Sequence, residues 1–226
     1  MRSKINLVLK NYNFIIFDCD GTLLKSNKIK SELFRDALFQ YDQRDVQKFI
    51  EYHQLNGGIS RFIKFRYFFQ EILKLNNYSA ELNEALNLFS KLAFQKLKKA
   101  SLIPGIYEFL EILLQHDIKL IVASGAEENE LRKILKEHDL EKYFSYIGGS
   151  PNTKEEIVKK FIDHNASLKI KGLVFGDSIS DLRVAENFDF DFIFIEEESE
   201  WSNHLDHLNI ARAKKVKNYY QIDLKI

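Results

Sequence analysis

Phe14-Ile15-Ile16-Phe17-Asp18-Cys19-Asp20-Gly21-Thr22-Leu23-Leu24 is the stretch that decides the fold. Four apolar residues run straight into an acid, which reads as a parallel strand buried on both faces. Polar residues begin where that strand ends, and ligands of open α/β sheets bind beyond the carboxyl ends of the strands. In extended chain, side chains two apart share a side. Asp18 and Asp20 can therefore flank one reacting group, one attacking while the other moves protons. Asp20-Gly21 alone would be only a turn signal. Its place at a strand end, with three more polar strand ends elsewhere, argues for chemistry.

Residues 118–123 read as a second strand, ending at Ser124-Gly125. Residues 173–175 end at Gly176-Asp177-Ser178, with Asp181 four residues after Asp177. Phe192 to Ile195 is a fourth run, and 145–147 before Gly148-Gly149 a weaker fifth. Between them the period turns helical: Ile106, Phe109, Leu110, Leu113 and Leu114 share a face, as do Leu131, Ile134, Leu135 and His138, and again Ile157, Val158, Phe161 and Ile162. Strands alternating with helices imply an α/β fold on a parallel sheet with right-handed crossovers.

Residues 28–100 interrupt the alternation with helical stripes only: Leu33, Phe34, Ala37, Leu38 and Tyr41; then Val46, Phe49 and Ile50; then Leu82, Ala85, Leu86, Phe89 and Ala93. Residues 59–75 are apolar nearly all round. The expectation is an all-helical insert at 28–100, set into a core formed by 1–27 and 101–226.

Several positions have both a structural and a chemical reading. Ser124 and Glu127 have capping-box spacing, and a hydroxyl at a helix N-terminus also suits a phosphate. Thr153 and Glu156 repeat the box and put Lys154 in a first turn, where the helix dipole disfavours a cation; that cost points to a functional lysine. Asp177 and Asp181 offer the hard oxygen ligands that a divalent ion such as magnesium needs. Cys19 reads as a small semi-buried filler.

Bulk numbers narrow the classes. The chain has 226 residues, 45% hydrophobic and 29% charged, with 33 basic and 33 acidic side chains. A net charge of zero lacks the basic excess of a nucleic-acid binder. No apolar run approaches the roughly 18 residues of a membrane span, and Met1 to Lys10 is too short in apolar residues for a signal core. A single cysteine permits no intrachain disulfide and fits a reducing compartment. The expectation is a cytoplasmic protein, a monomer or weak homodimer, without nucleic-acid or membrane partners.

Taken together, the motifs resemble the haloacid dehalogenase superfamily. Asp18-Cys-Asp-Gly-Thr-Leu-Leu looks like its first motif and Val122-Ala-Ser124-Gly like its second. Lys154 looks like the third, and Gly176-Asp-Ser-Ile-Ser-Asp181-Leu like the fourth. The resemblance implies a Rossmann-like core with a helical cap after the first strand. It also implies a magnesium-dependent phosphatase acting on a small phosphorylated metabolite, a sugar phosphate or phosphoglycolate-like compound, through an aspartyl-phosphate. It makes Asp18 the nucleophile and Asp20 the proton donor and then base. Magnesium would be held by Asp18, the Asp20 backbone carbonyl and Asp177. Ser124 and Lys154 would hold phosphoryl oxygens, with Gly125 in substrate binding, Thr22 supporting the first loop, Asp181 orienting Lys154 or a metal-bound water, and Ser178 in support. Lys25 and Glu155 depart from the family's usual residues at their positions. In the insert, Asn56-Gly57-Gly58 and Arg61 form a candidate loop for reading the leaving group, with His53 and Lys64 behind it. A phosphomutase would use the same four motifs. A catalytically silent phospho-ligand or protein-binding module is disfavoured by the presence of both Asp18 and Asp20, and a dehalogenase would need neither Asp20 nor magnesium.

Overall fold

The computed structural model describes residues 4–165, 171–202 and 213–225. The strand at the start of the decisive stretch, β2 (Phe14–Phe17), lies inside a six-stranded sheet of order β4-β3-β2-β5-β6-β7, every pairing parallel. The others are β3 (Lys119–Glu127), β4 (Tyr146–Ser150), β5 (Gly172–Gly176), β6 (Asp191–Ile195) and β7 (Ala213–Val216). Side chains of β2 alternate between two layers. Ile15 and Phe17 pack on one side of the sheet, Phe14 and Ile16 on the other, which is why the run is apolar at every position.

The helices α5 (Ile106–Leu113), α6 (Glu128–Glu137), α7 (Lys154–His164) and α8 (Ile179–Phe188) connect these strands. Between β2 and β3 the chain is helical: α1 (Asn27–Ala37), α2 (Gln43–Leu55), α3 (Arg61–Tyr67) running into a π turn at 68–72, and α4 (Ser79–Leu97). The expected Rossmann-like parallel sheet with an all-helical layer after the first sheet strand is what forms.

Three details differ from expectation. A short parallel pair, β1 (Ile5–Val8) with β8 (Ile222–Lys225), forms a second sheet. β7 has two lysines, Lys214 and Lys215, so its charged sequence hides a strand; such charge is common on sheet edges. β3 runs four residues past the expected end, through Ser124 and Gly125, with a register shift between Ala123 and Glu127. Glu127, not Ser124, therefore caps α6: its carboxylate accepts from Asn129 and Glu130 backbone N–H groups. Among the described residues, no helix is long and apolar enough to cross a membrane.

Candidate active site

Sheet register assembles the site. Phe17 pairs with Val122 on one side and Phe175 on the other, so the residues that follow, Asp18, Ser124 and Asp177, emerge at one edge. The Asp18 backbone N–H donates to Phe175 O at 3.0 Å, extending the β2–β5 ladder to the acid itself.

Lys154, the first residue of α7, completes the cluster. The Thr153–Glu156 capping box forms as expected and fixes the turn that aims Lys154 inward. Its Nζ donates to Asp181 Oδ1 at 2.6 Å and lies 3.0 Å from Asp18 Oδ2. Asp181 is held from its other oxygen by the Ser178 backbone N–H at 3.1 Å and hydroxyl at 2.6 Å. All of these side chains are buried.

Asp18, Asp177 and Asp181 bring carboxylate oxygens within 4.8 Å of one another. Three buried acids against one lysine leave a negative excess. Burial first, then the neighbouring acids, push Asp18 up to about 7 even though Lys154 pulls it down. The same causes hold Asp177 well above the usual carboxylate range. This donor set, hard, oxygen-only and short of positive charge, could hold a divalent cation such as magnesium, with Asp18 and Asp177, at the ends of paired strands, as the candidate carboxylate ligands.

Asp20 is turned to the helical layer. Lys30 of α1 forms an ion pair with Asp20 Oδ2, and Ser26 Oγ donates to Oδ1 at 2.6 Å. Burial would raise this carboxyl, but the Lys30 charge and the two hydrogen bonds outweigh it and hold it below its ordinary value. Asn27 Nδ2 donates to Asp177 Oδ2 at 2.5 Å. The sequence marks Asn27 only as part of a hinge at Ser26-Asn27 and gives Lys30 no role. Their signal was present: with Phe34 they stand at i, i+3 and i+7 of one helix face, directly after the first motif.

The remaining expected residues fall in different places. Gly125 lines the pocket, while Ser124 beside it in β3 is fully buried and outside the pocket lining, its Oγ accepting from Ala126 N at 3.2 Å. Thr22 is also fully buried, its hydroxyl without a partner among the described residues. His53, Arg61 and Lys64 line the pocket; Asn56 does not, because its amide donates to Tyr52 O and closes its own helix end. Arg61 is neither free nor solvated. It donates to both oxygens of Glu130, on α6, at 3.0 Å, and lies over the Phe89 ring.

Gly57-Gly58 presses on the acids' own supports. A Cβ on Gly58 (φ +78°) would stand 2.0 Å from Ser180 Oγ and 2.6 Å from Lys154 Nζ, and one on Gly57 2.8 Å from Ser178 Cβ. Only glycine allows that approach. The helical layer thus lies over a pocket lined from both sides, by Asp18 and Asp177 of the core and by His53, Arg61 and Lys64 of the helices.

Residues 15–195 match the family of haloacid dehalogenase-like hydrolases. This chain belongs to that family. A phosphorylated carbohydrates phosphatase of Thermotoga maritima is 25% identical over 192 residues, covering 80% of this chain and 83% of that protein. The fold is shared with a predicted phosphoglycolate phosphatase from Haemophilus somnus (TM-score 0.73, 16% identity, covering 93% and 96% of the two chains). It is also shared with a haloacid dehalogenase-like hydrolase from Streptococcus pneumoniae (TM-score 0.69, 17% identity, 92% and 96%). The protein is accordingly an enzyme, a hydrolase of the haloacid dehalogenase type.

Proposed function

We propose that this hydrolase cleaves a small phosphorylated metabolite, a sugar phosphate or phosphoglycolate-like compound, through an aspartyl-phosphate on Asp18 and with magnesium bound. The observation that carries this reading is the buried contact of Lys154 with both Asp18 and Asp181, beside Asp177 and beneath a closed pocket. Asp18 attacks phosphorus in line with the departing alcohol. Asp20 gives that alcohol its proton and later takes one from the water that cleaves the aspartyl-phosphate. Lys154 and Ser124 hold phosphoryl oxygens as charge spreads over them, with Gly125 lining the site. A bound magnesium ion would supply further positive charge at those oxygens.

Lys30 keeps Asp20 ionised in the closed arrangement, so the acid role requires this pair to loosen when substrate enters. Residues 28–100 act as the lid over a core of 1–27 and 101–226. The two crossings are tied by backbone bonds, Lys25 N to Ser101 O at 2.7 Å and Ile103 N to Leu23 O at 2.9 Å, which set where the lid pivots. The enzyme acts as a cytoplasmic monomer or weak homodimer.

The test is release of inorganic phosphate from an aryl phosphate, with magnesium and then with excess chelator, for the native chain and Asp18→Asn. The expected result is release that needs both magnesium and Asp18. Comparable release by a well-folded Asp18→Asn would remove the nucleophile assignment. Phosphate handed back to a sugar, without accumulation of free phosphate, would indicate a mutase.

A further inference from the structure

Part of the pocket wall comes from α2 and α3 of the lid and from the segment after β6. Lys64 Nζ donates to His53 Nδ1 at 2.7 Å and to the His53 carbonyl at 3.3 Å. A neutral imidazole whose Nδ1 accepts carries its proton on Nε2. His53 lines the pocket and is only 6% exposed, and its Nε2–H, shut off from water, has no hydrogen-bond partner among the described residues. Buried donors are seldom left so, because the group has given up water for nothing. Opposite stands Glu200 Oε2 at 3.9 Å, beyond hydrogen-bond reach. The Glu200 carboxylate is itself anchored by the lid, accepting from Ser31 Oγ at 3.2 and 3.1 Å and from Gln54 Nε2 at 3.1 Å.

We propose that His53 Nε2 and Glu200 Oε2 form a hydroxyl-reading pair: the histidine donates to, and the glutamate accepts from, one hydroxyl of the leaving alcohol. The enzyme then selects monophosphates of polyhydroxy alcohols over monophosphates of hydroxy acids. This rests on the phosphatase reading above and chooses between the two substrate classes it left open.

The gap decides the chemistry. Its two sides are a donor and an acceptor, and a hydroxyl seated beside the pair, not between its members, serves both at once. A carboxylate only accepts; it would satisfy His53 but meet the Glu200 charge. Lys64 does not reverse this, because burial and then the Lys30 charge lower it to about 7, so the cluster has no settled positive excess to hold an anion. Phe34, Phe89 and Trp201 add flat apolar walls suited to the C–H faces of a polyol.

The experiment compares kcat/KM, with magnesium, for glycerol 1-phosphate and a hexose 6-phosphate against propyl phosphate and phosphoglycolate. It uses the full chain and its His53→Ala and Glu200→Gln variants. The native enzyme should prefer the polyol phosphates to both others. Each substitution should lower the polyol-to-propyl ratio by roughly 10- to 100-fold, the scale of one lost hydrogen bond to a charged or buried partner. If His53→Ala does not fold, the isosteric Glu200→Gln carries the test. Preference for phosphoglycolate, or a ratio that neither variant moves, would overturn the subsite while leaving the phosphatase reading intact. Failure to turn over any phosphate monoester would overturn both.

Discussion

Two clusters of ionisable groups face each other across one pocket, one built mainly of acids and the other of bases. On the core side, Asp18, Asp177 and Asp181 outnumber Lys154, and the surplus is negative. On the lid side, the ionisable groups lining the pocket are Lys30, His53, Arg61 and Lys64, all bases. Their acidic counterparts, Asp20, Glu130 and Glu200, come from the core. Lys30 and Arg61 are thus paired across to the core, whereas Lys64 is bonded within the helical layer, to His53. The core acids therefore share one base and suit a cation, whereas the Lys30–Asp20 and Arg61–Glu130 pairs are the contacts that the proposed lid opening would break.

The comparison can be broken from the core side first. Lys154→Ala removes the one base among three buried acids, and turnover should fall by roughly 10²–10³-fold, the cost of losing one positioned charge-stabilising donor. Steady-state kinetics on an aryl phosphate reads this directly. A loss below tenfold would mean Lys154 only packs the site.

Lys64 tests the lid side through stability. Its pKa falls from 10.5 to about 7 on folding, chiefly through burial. Between those values the unfolded chain binds the extra proton, so stability should rise with pH from 7 towards 10.5 and be lost again as pH falls back towards 7. The rise should be on the order of 5 kcal/mol, measured by urea denaturation. Lys64→Met should flatten this window; an unchanged slope would mean the amine reaches water.

Asp177→Ala should raise the magnesium concentration for half-maximal activity by about 10–100-fold, since even residues behind metal ligands are worth that much. An unaltered magnesium titration would separate Asp177 from the metal. The smallest effect belongs to the Arg61–Glu130 pair, both partners largely buried. Arg61→Ala and Glu130→Gln should each weaken kcat/KM, with a coupling of about 0.5–2 kcal/mol in the double-mutant cycle. Additive losses would show that the two residues act separately and do not latch the lid.

The core was legible because its chemistry follows strand ends. An apolar run, a stop and an acid occur in order at Asp18 and at Asp177, and the parallel register then brings them together. The lid was legible only as helices. In 59–75 the apolar count hid the functional face: Lys64 is buried, while Phe62 and Ile63 are about half exposed. A helix that turns a lysine inward and a phenylalanine outward breaks the binary rule, and such breaks concentrate at functional sites. Glu130 and Glu200 could not be found locally, because their roles arise from contacts 69 and 146 residues away in the chain. Lys30 and Asn27 sat within reach of a helical-face argument applied to α1.

The central claim is that the phosphoryl group passes through Asp18. It is tested most directly by quenching the magnesium-loaded enzyme during turnover, reducing any acyl phosphate with borohydride and mapping the product by peptide mass. The account predicts homoserine at position 18, dependent on substrate and magnesium. Homoserine at another acidic position, or sustained turnover by a folded Asp18→Asn variant, would contradict it.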